Sequence, residues 1–395
     1  MVITNGFTFI AFLIFVAGGL LALEKYTKWR LFYWVPVLVW VYVLNMLFCT
    51  VGLYNSEECS AAYSALKNNL LYAMIFVMLL RCDFRKLAKL GGRMAAIFLG
   101  GSFTLAVGFV VGFPLFKGIL GGGEKTWAAV AALYASWVGG SPNMAAMQDA
   151  LPVDSGAFGC ALALDTVCYS IWIALLLMGL RYAGRWNAAV KADTSKLDAV
   201  AEAANAEVMV EKAVPKVADW VFLIGLSLVV SVVSQQVGSF LGGVMSSIHL
   251  DIINSGICTT LFTTFLGLGC AMTPLGKLPA VEELNGIYLY AVISLLASTS
   301  SITDLMKAPM WVVYGLFILA VHAAAMFLLS KLFHWDLCMV STASLANIGG
   351  TASAPLIASA YNPSFASIGV LMGVMGSSIG NILGLGMGAI LRILA

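Results

Sequence analysis

Residues 136–145 read SWVGGSPNMA, and residues 346–353 read ANIGGTAS. Each lies inside a long apolar segment, with WAAVAALYA before the first and STASL before the second. Hydrocarbon offers backbone N–H and C=O groups no partners. A spanning helix is therefore interrupted only where the break is buried in protein or lines a wet cavity. Two glycines, a hydroxyl and an amide in mid-run predict such a break at both places. A break presents the C-terminus of one half-helix and the N-terminus of the next. The carbonyl end favours a cation, and the N–H end favours an anion or carboxylate. Gly139, Gly140, Gly349 and Gly350 are the expected hinges. Ser141, Asn143, Asn347, Thr351 and Ser353 are expected to bind substrate. A single Gly-Gly pair is explained as well by close helix packing; the matched pair is what favours a site.

The chain around these stretches is written for lipid. Of its 395 residues, 61% are hydrophobic and 10% charged, with a mean hydropathy of +0.96. Soluble domains run about 45–50% apolar and about 25% charged. Apolar runs predict spans at 6–23, 32–53, 62–80, 94–116, 126–150, 156–180, 219–242, 253–273, 286–303, 310–332, 336–360 and 365–392. The expected fold is an all-α integral membrane protein of about 11–13 spanning helices, since each crossing needs roughly 20 apolar residues. The ~10-residue alternating strands of a β-barrel are absent. The N-terminus has no basic region before its apolar run and reads as a first spanning helix. The loop after the third span, RCDFRKLAKLGGR, carries Arg81, Arg85, Lys86, Lys89 and Arg93, which places it on the cytoplasmic side. Its Arg81–Asp83–Arg85 cluster reads as an orientation signal.

Several function classes are excluded. A net charge of +2 provides no broad basic face for nucleic acid. The eight cysteines are scattered and read as small buried hydrophobes. His249, His322 and His334 lie too far apart in sequence to suggest a ligand cluster. There is no H-E-x-x-H and no P-loop, and the one G-x-S-x-G match, GSSIG at 376–380, lies in an apolar helix. Neither an enzyme nor a metal or organic cofactor is expected, with Na+ as a candidate bound ion. No Arg-rich voltage sensor or filter-like loop points to a channel.

The chain divides into a first half, 1–180, a polar alanine-rich linker, 181–219, and a second half, 220–395. Repeat cores are expected at 94–180 and 310–392. At an offset of 210 residues, Gly139 and Gly140 meet Gly349 and Gly350, Ser141 meets Thr351, Asn143 meets Ser353 and Gly159 meets Gly369. Interrupted apolar segments at corresponding places in two halves point to a secondary transporter's binding site. Counting spans from the cytoplasmic loop gives both halves one orientation, whereas inverted repeats need opposite ones. One expected span is therefore miscounted.

Asp165, in ALALDTVCYSIW, is a carboxylate inside an apolar helix, a placement that costs about 2.5–3.5 kcal/mol on insertion scales and marks a functional position. Thr166 adjoins it, and Tyr169 lies one turn on, on the same face. These three and Ser377 are the expected ion-coupling residues. The aligned position in the second half is Met375, so the carboxylate site is asymmetric. In the helix 365–392, glycines recur every three or four residues and make a smooth packing face. Asn381 on that helix is a further substrate-binding candidate. The hydroxyl run at 295–305 is expected either to end a helix or to form part of a polar site. Asp149 and Asp154 read as solvated charges at a membrane boundary.

ASWVGGSPNMAAMQDAL, ALALDTVCYSIW and STASLANIGGTASAPLIASAYNPSFASIGVLMGVMGSSIGNILG resemble the membrane-protein family called domain of unknown function eight-one-nine, over nearly the whole chain. More distantly, FVMLLRCDFRKLAKLGG, a further span, a broken helix and an Asp-bearing helix look like the core of cation:proton antiporters and bile-acid/sodium symporters. That resemblance implies two unwound crossing helices in an elevator-type core moving against a scaffold. It places Gly139–Asn143 and Asn347–Ser353 at the crossing and Asp165 at the first carboxylate position of the antiporter helix. Thr166 stands where many electrogenic antiporters have a second carboxylate, which weakens simple Na+/H+ exchange. The expected function is thus a Na+- or H+-coupled symporter of a small anionic or zwitterionic solute. It is expected in the cell inner (cytoplasmic) membrane as a multi-pass homodimer. The alternatives are a Na+/H+ antiporter without organic substrate and a non-transport membrane assembly factor. The expected partners are the solute and the lipid bilayer, with no nucleic acid.

Overall fold

The structure is a computed structural model and describes residues 2–54, 57–85, 91–121, 123–192, 194, 197–208, 214–248, 253–300 and 308–395. The apolar runs fold as helices because a backbone in lipid satisfies its polar groups only internally. In chain order the first half holds α1 (Gly6–Thr27), α2 (Arg30–Trp34), α3 (Val37–Thr50), α4 (Glu57–Leu79), α5 (Gly91–Leu120), α6 (Thr126–Gly139), α7 (Ser141–Ala150) and α8 (Ser155–Gly179). Next come α9 (Ala183–Val190), α10 (Leu197–Val208), α11 (Val217–Ser247), α12 (Ser255–Ala271) and α13 (Val281–Ala297). The chain ends with α14 (Ala308–Phe333), α15 (Leu337–Ile348), α16 (Gly350–Tyr361) and α17 (Ala366–Leu394). Seven helical stretches are long and apolar enough to cross a membrane, and no strand occurs among the described residues. The protein is an all-α integral membrane protein that passes the bilayer several times.

Side-chain caps fix several helix starts. Asn5, Asp154, Asn254 and Asp336 each accept a hydrogen bond from the backbone N–H three residues on, satisfying a donor that the helix leaves orphaned. Asp154 is thus the cap of α8. Most of the eight cysteines are buried.

Three expected spans are interrupted. The segment 32–53 divides at Pro36 into α2 and α3, because proline lacks the N–H that would continue the ladder. The segment 126–150 divides into α6, of 14 residues, and α7, of 10. The segment 336–360 divides into α15 and α16, of 12 residues each. At 1.5 Å per residue each broken pair extends about 36 Å, close to the ~30 Å hydrocarbon core, so each break falls near mid-membrane. In the 286–303 segment, α13 ends at Ala297; residues 301–305 of the hydroxyl run lie outside the described residues, as does His249. The linker is not wholly exposed: Leu197, Ala201 and Ala204 of α10 are buried in a cluster with α17 residues such as Leu371 and Met375.

The helices pack in two groups. One contains α1, α3, α4, α11, α12 and α13; the other contains α5–α8 and α14–α17. α7 is the main bridge, touching both α4 and α12. α17 crosses both breaks on its glycine face. A Cβ at Gly373 would lie 2.5 Å from the Thr351 Cα, and one at Gly376 would collide with the Val138 carbonyl oxygen. At Gly380 it would meet Asn143 at 2.8 Å. These approaches allow the dispersion contacts that hold helices together where lipid removes the hydrophobic drive. His322, a buried histidine of α14, is closed between hydroxyls, with Thr104 Oγ1 at 2.7 Å from Nδ1 and Ser344 Oγ at 2.8 Å from Nε2. The Trp172 indole N–H donates to the same Ser344. This network joins α5, α14, α15 and α8.

Candidate functional site

The first break is made at Gly140, whose φ of 96° and ψ of 173° fall in a region that only glycine adopts without strain. Its N–H closes α6 by donating to the Ser136 carbonyl at 2.7 Å. Pro142 then opens α7, where its missing N–H costs nothing. The second break is made at Gly350, with φ 67°, in the left-handed region. A Cβ at Gly140 would meet nothing closer than 3.7 Å, and one at Gly350 nothing within 4 Å. Both glycines are therefore required by backbone conformation and not by space. Gly140→Ala is expected to destabilise the protein by about 2–3 kcal/mol and Gly350→Ala by about 1 kcal/mol, read by thermal unfolding in detergent. Equal, negligible effects would mean that the chain relaxes around both breaks.

The breaks face one cleft. Ser136, Gly140 and Ser141 from the first, and Ile348, Gly349 and Ser353 from the second, line a cavity of about 240 Å³. Leu162, Asp165, Thr166 and Tyr169 of α8 form another wall, and Pro36, Leu38 and Val39 close it from the α2–α3 junction. Asp165 is the one charged side chain among these lining residues. Ser136 Oγ donates to its Oδ2 at 2.8 Å. Across the cleft, Ser353 Oγ lies 3.0 Å from the Tyr169 hydroxyl and 3.0 Å from the Gly349 carbonyl, to which its one proton can be given. Thr166 bonds back to its own helix, at 3.3 Å from the Leu162 carbonyl.

This arrangement has a definite chemistry. One carboxylate lacks a cationic partner among the lining residues, so a bound Na+ or a proton would neutralise it. At the start of α16 the residues Gly349 and Ser353 reach the same cleft, and the leading N–H groups of a helix have no intrahelical acceptor. Positive charge is favoured at the Asp165 wall and a carboxylate at the helix start.

The structure brings Ser141, Ser353, Asp165, Thr166 and Tyr169 together with Gly140 and Gly349, and sets the other candidates elsewhere. Gly139 lies beneath the cleft, its carbonyl taken by Asn143 Nδ2 at 2.7 Å and Ser377 Oγ at 3.2 Å. Asn143 and Ser377 thus brace the break from behind. Asn347 is buried against α5: Ser102 Oγ donates to its Oδ1 at 2.6 Å, and its Nδ2 donates to the Ala343 and Phe98 carbonyls. Asn381 faces α12 and donates to Thr264 Oγ1 at 3.0 Å. Thr351 is exposed outside the cleft lining. Asp149 is not a solvated boundary charge, because Lys67 Nζ lies 2.6 Å from its Oδ1 and Tyr72 Oη donates to its Oδ2. Arg81 pairs with Glu282 at 2.7 Å, and Arg85 with Asp83 at 2.8 Å; both are staples at the end of α4.

Ser136 and the Pro36–Val39 wall also line the cleft, though neither is among the residues expected from the sequence. Ser136 sits one turn before Gly140, and a hydroxyl there points to the same face as the break. Pro36 interrupts an apolar run, which was signal enough for a third irregular element.

A family model described as protein of unknown function (DUF819) matches residues 11–394. No curated protein and no solved structure matches the chain.

Proposed function

The chain belongs to the family described as protein of unknown function (DUF819), and we propose that it is a cation-coupled secondary active transporter of a small organic solute. One observation carries the reading: both helix breaks and the unpaired carboxylate of Asp165 line the same cleft. Irregular backbone at membrane depth is costly unless it serves a cavity, and an intramembrane carboxylate marks a functional site by default. The cleft's volume of about 240 Å³ is several times the ~30 Å³ of a water molecule. That leaves room for a small organic solute beside an ion. A zwitterion or carboxylate fits the polarity of the walls, its acid group at the start of α16. The packing of α5–α8 on α14–α17 supports two related cores moving against the remaining helices in an elevator cycle. The proposed setting is the cytoplasmic membrane, with the chain as a homodimer.

Thermal unfolding of the purified protein against small carboxylates and amino acids, with and without Na+, tests this. A solute at 100 times its Kd stabilises by about 2.7 kcal/mol, a shift of several degrees. The expected result is one chemical class that stabilises the natural chain, more strongly with Na+ or at lower pH, and leaves Asp165→Asn unmoved. Stabilisation by Na+ or protons alone would favour the antiporter reading. Equal stabilisation of both proteins would remove Asp165 from the site.

A further inference from the structure

Half-helix α7 has two unlike ends. Its start, at Gly140 and Ser141, lines the cleft. Its far end is gripped by the other helix group. Asp149, the penultimate residue of α7, receives Lys67 Nζ at 2.6 Å on Oδ1 and the Tyr72 hydroxyl on Oδ2. Both donors stand on α4. The Lys67 and Asp149 side chains are only 17% and 13% exposed. From α12, the N-cap residue Asn254 donates to the Ala150 carbonyl at 3.2 Å. Gly256 packs so closely that a Cβ there would lie 2.7 Å from the Asp149 carbonyl oxygen.

Among the ion pairs of the described residues, Lys67–Asp149 is the one that spans the seam between the two groups. Arg81–Glu282 joins the end of α4 to α13, within one group, and Arg85–Asp83 is local. An ion pair whose side chains are this little exposed resists separation. Made, it satisfies both charges; broken without water, it leaves two uncompensated charges. Ten helical residues extend about 15 Å, and a short rod with no internal joint transmits a shift at Asp149 to Ser141.

We propose that Lys67, Tyr72 and Asp149 form a latch that fixes the resting position of α7 against α4 and so sets which membrane face the cleft opens to. The inference rests on the transporter reading, because a latch matters only if the broken-helix group moves against α4. Lys67 and Tyr72 are positioning residues: they act on the cleft through Asp149 and α7, without reaching it.

The test is sided thiol labelling. Ser141→Cys is introduced and reacted with a membrane-impermeant maleimide in right-side-out and inside-out vesicles, with the parent chain as the blank for its native cysteines. With the latch intact, the introduced thiol labels from one face. Lys67→Met leaves Asp149 unpaired and shifts the face-to-face labelling ratio by about tenfold or more, the size of change a ligand or contact with modest state preference produces. The swap Lys67→Asp with Asp149→Lys restores the original sidedness, which a purely structural role does not require. Tyr72→Phe keeps the ion pair and gives a smaller shift in the same direction, and it carries the test if Lys67→Met does not fold. Unchanged sidedness in folded Lys67→Met and Tyr72→Phe overturns the latch while leaving the cleft accessible and the transporter reading intact. Absence of labelling from either face in every variant overturns the open cleft, and the latch with it.

Discussion

Asp165→Asn is expected to reduce coupled solute uptake roughly a hundredfold, matching the ~3 kcal/mol of a strong interaction with a charged group, while the protein folds and holds its shape. The side chains are nearly isosteric, and the asparagine oxygen can still accept from Ser136 Oγ, which stands 2.8 Å from Oδ2 in the natural protein. What is lost is the negative charge, and with it the means of holding Na+ or a proton in the cleft. The same substitution removes an ionisable group whose insertion into the membrane costs about 2.5–3.5 kcal/mol. Thermal stability should therefore stay level or rise as transport falls, the inverse relation common where an active site is kept at a cost in stability. Uptake in proteoliposomes, with Tm measured on the same preparations, checks both halves. A variant that loses stability and activity together would make Asp165 a structural residue.

Gly376→Ala is expected to be the most damaging small substitution in α17. Its Cβ would collide with the backbone oxygen of Val138 and lie 3.3 Å from the Phe98 ring. The Val138 oxygen is backbone and cannot swing aside, so α17 must move off α6. Overpacking of this kind costs about 3 kcal/mol or more. The displacement also strains the neighbouring hydrogen bond from Ser377 Oγ to the Gly139 carbonyl, and hence the first break. Gly386→Ala is the control, on the same helix with nothing within 4 Å of the new methyl. Its effect should remain within about 1 kcal/mol, with better helix propensity favouring alanine. Denaturation midpoints of the two variants decide it; equal midpoints would mean that the glycine face does not set the approach of α17 to the breaks.

Both breaks and the intramembrane carboxylate were legible in the sequence because each violates a local rule of membrane helices. Gly139–Gly140 and Gly349–Gly350 interrupt apolar runs, and Asp165 places a charge where lipid penalises it. Such violations need no knowledge of neighbours. The roles of Asn347, Asn381 and Asn143 were not legible for the opposite reason. An amide in a spanning helix is satisfied equally well by a ligand or by another helix, and only packing says which. Asn347 finds Ser102, 245 residues away in the chain, and Asn381 finds Thr264. Asp149 was misread because its partner Lys67 is 82 residues distant, so its position next to a loop looked like exposure. The grouping of helices is hidden for the same reason. The α2–α3 wall reaches the cleft by packing across the fold, although Pro36 itself advertised an interruption.

Solute and cation are proposed to meet in one cleft and move together. The most direct test is accumulation in proteoliposomes that contain only this protein. A solute found to stabilise it is supplied outside, and a Na+ gradient and a proton gradient are imposed in turn. Coupled transport predicts that one gradient drives the solute above its outside concentration, that dissipating the gradient releases it, and that Asp165→Asn abolishes the rise. Solute that merely equilibrates, or fails to enter under either gradient, would contradict it.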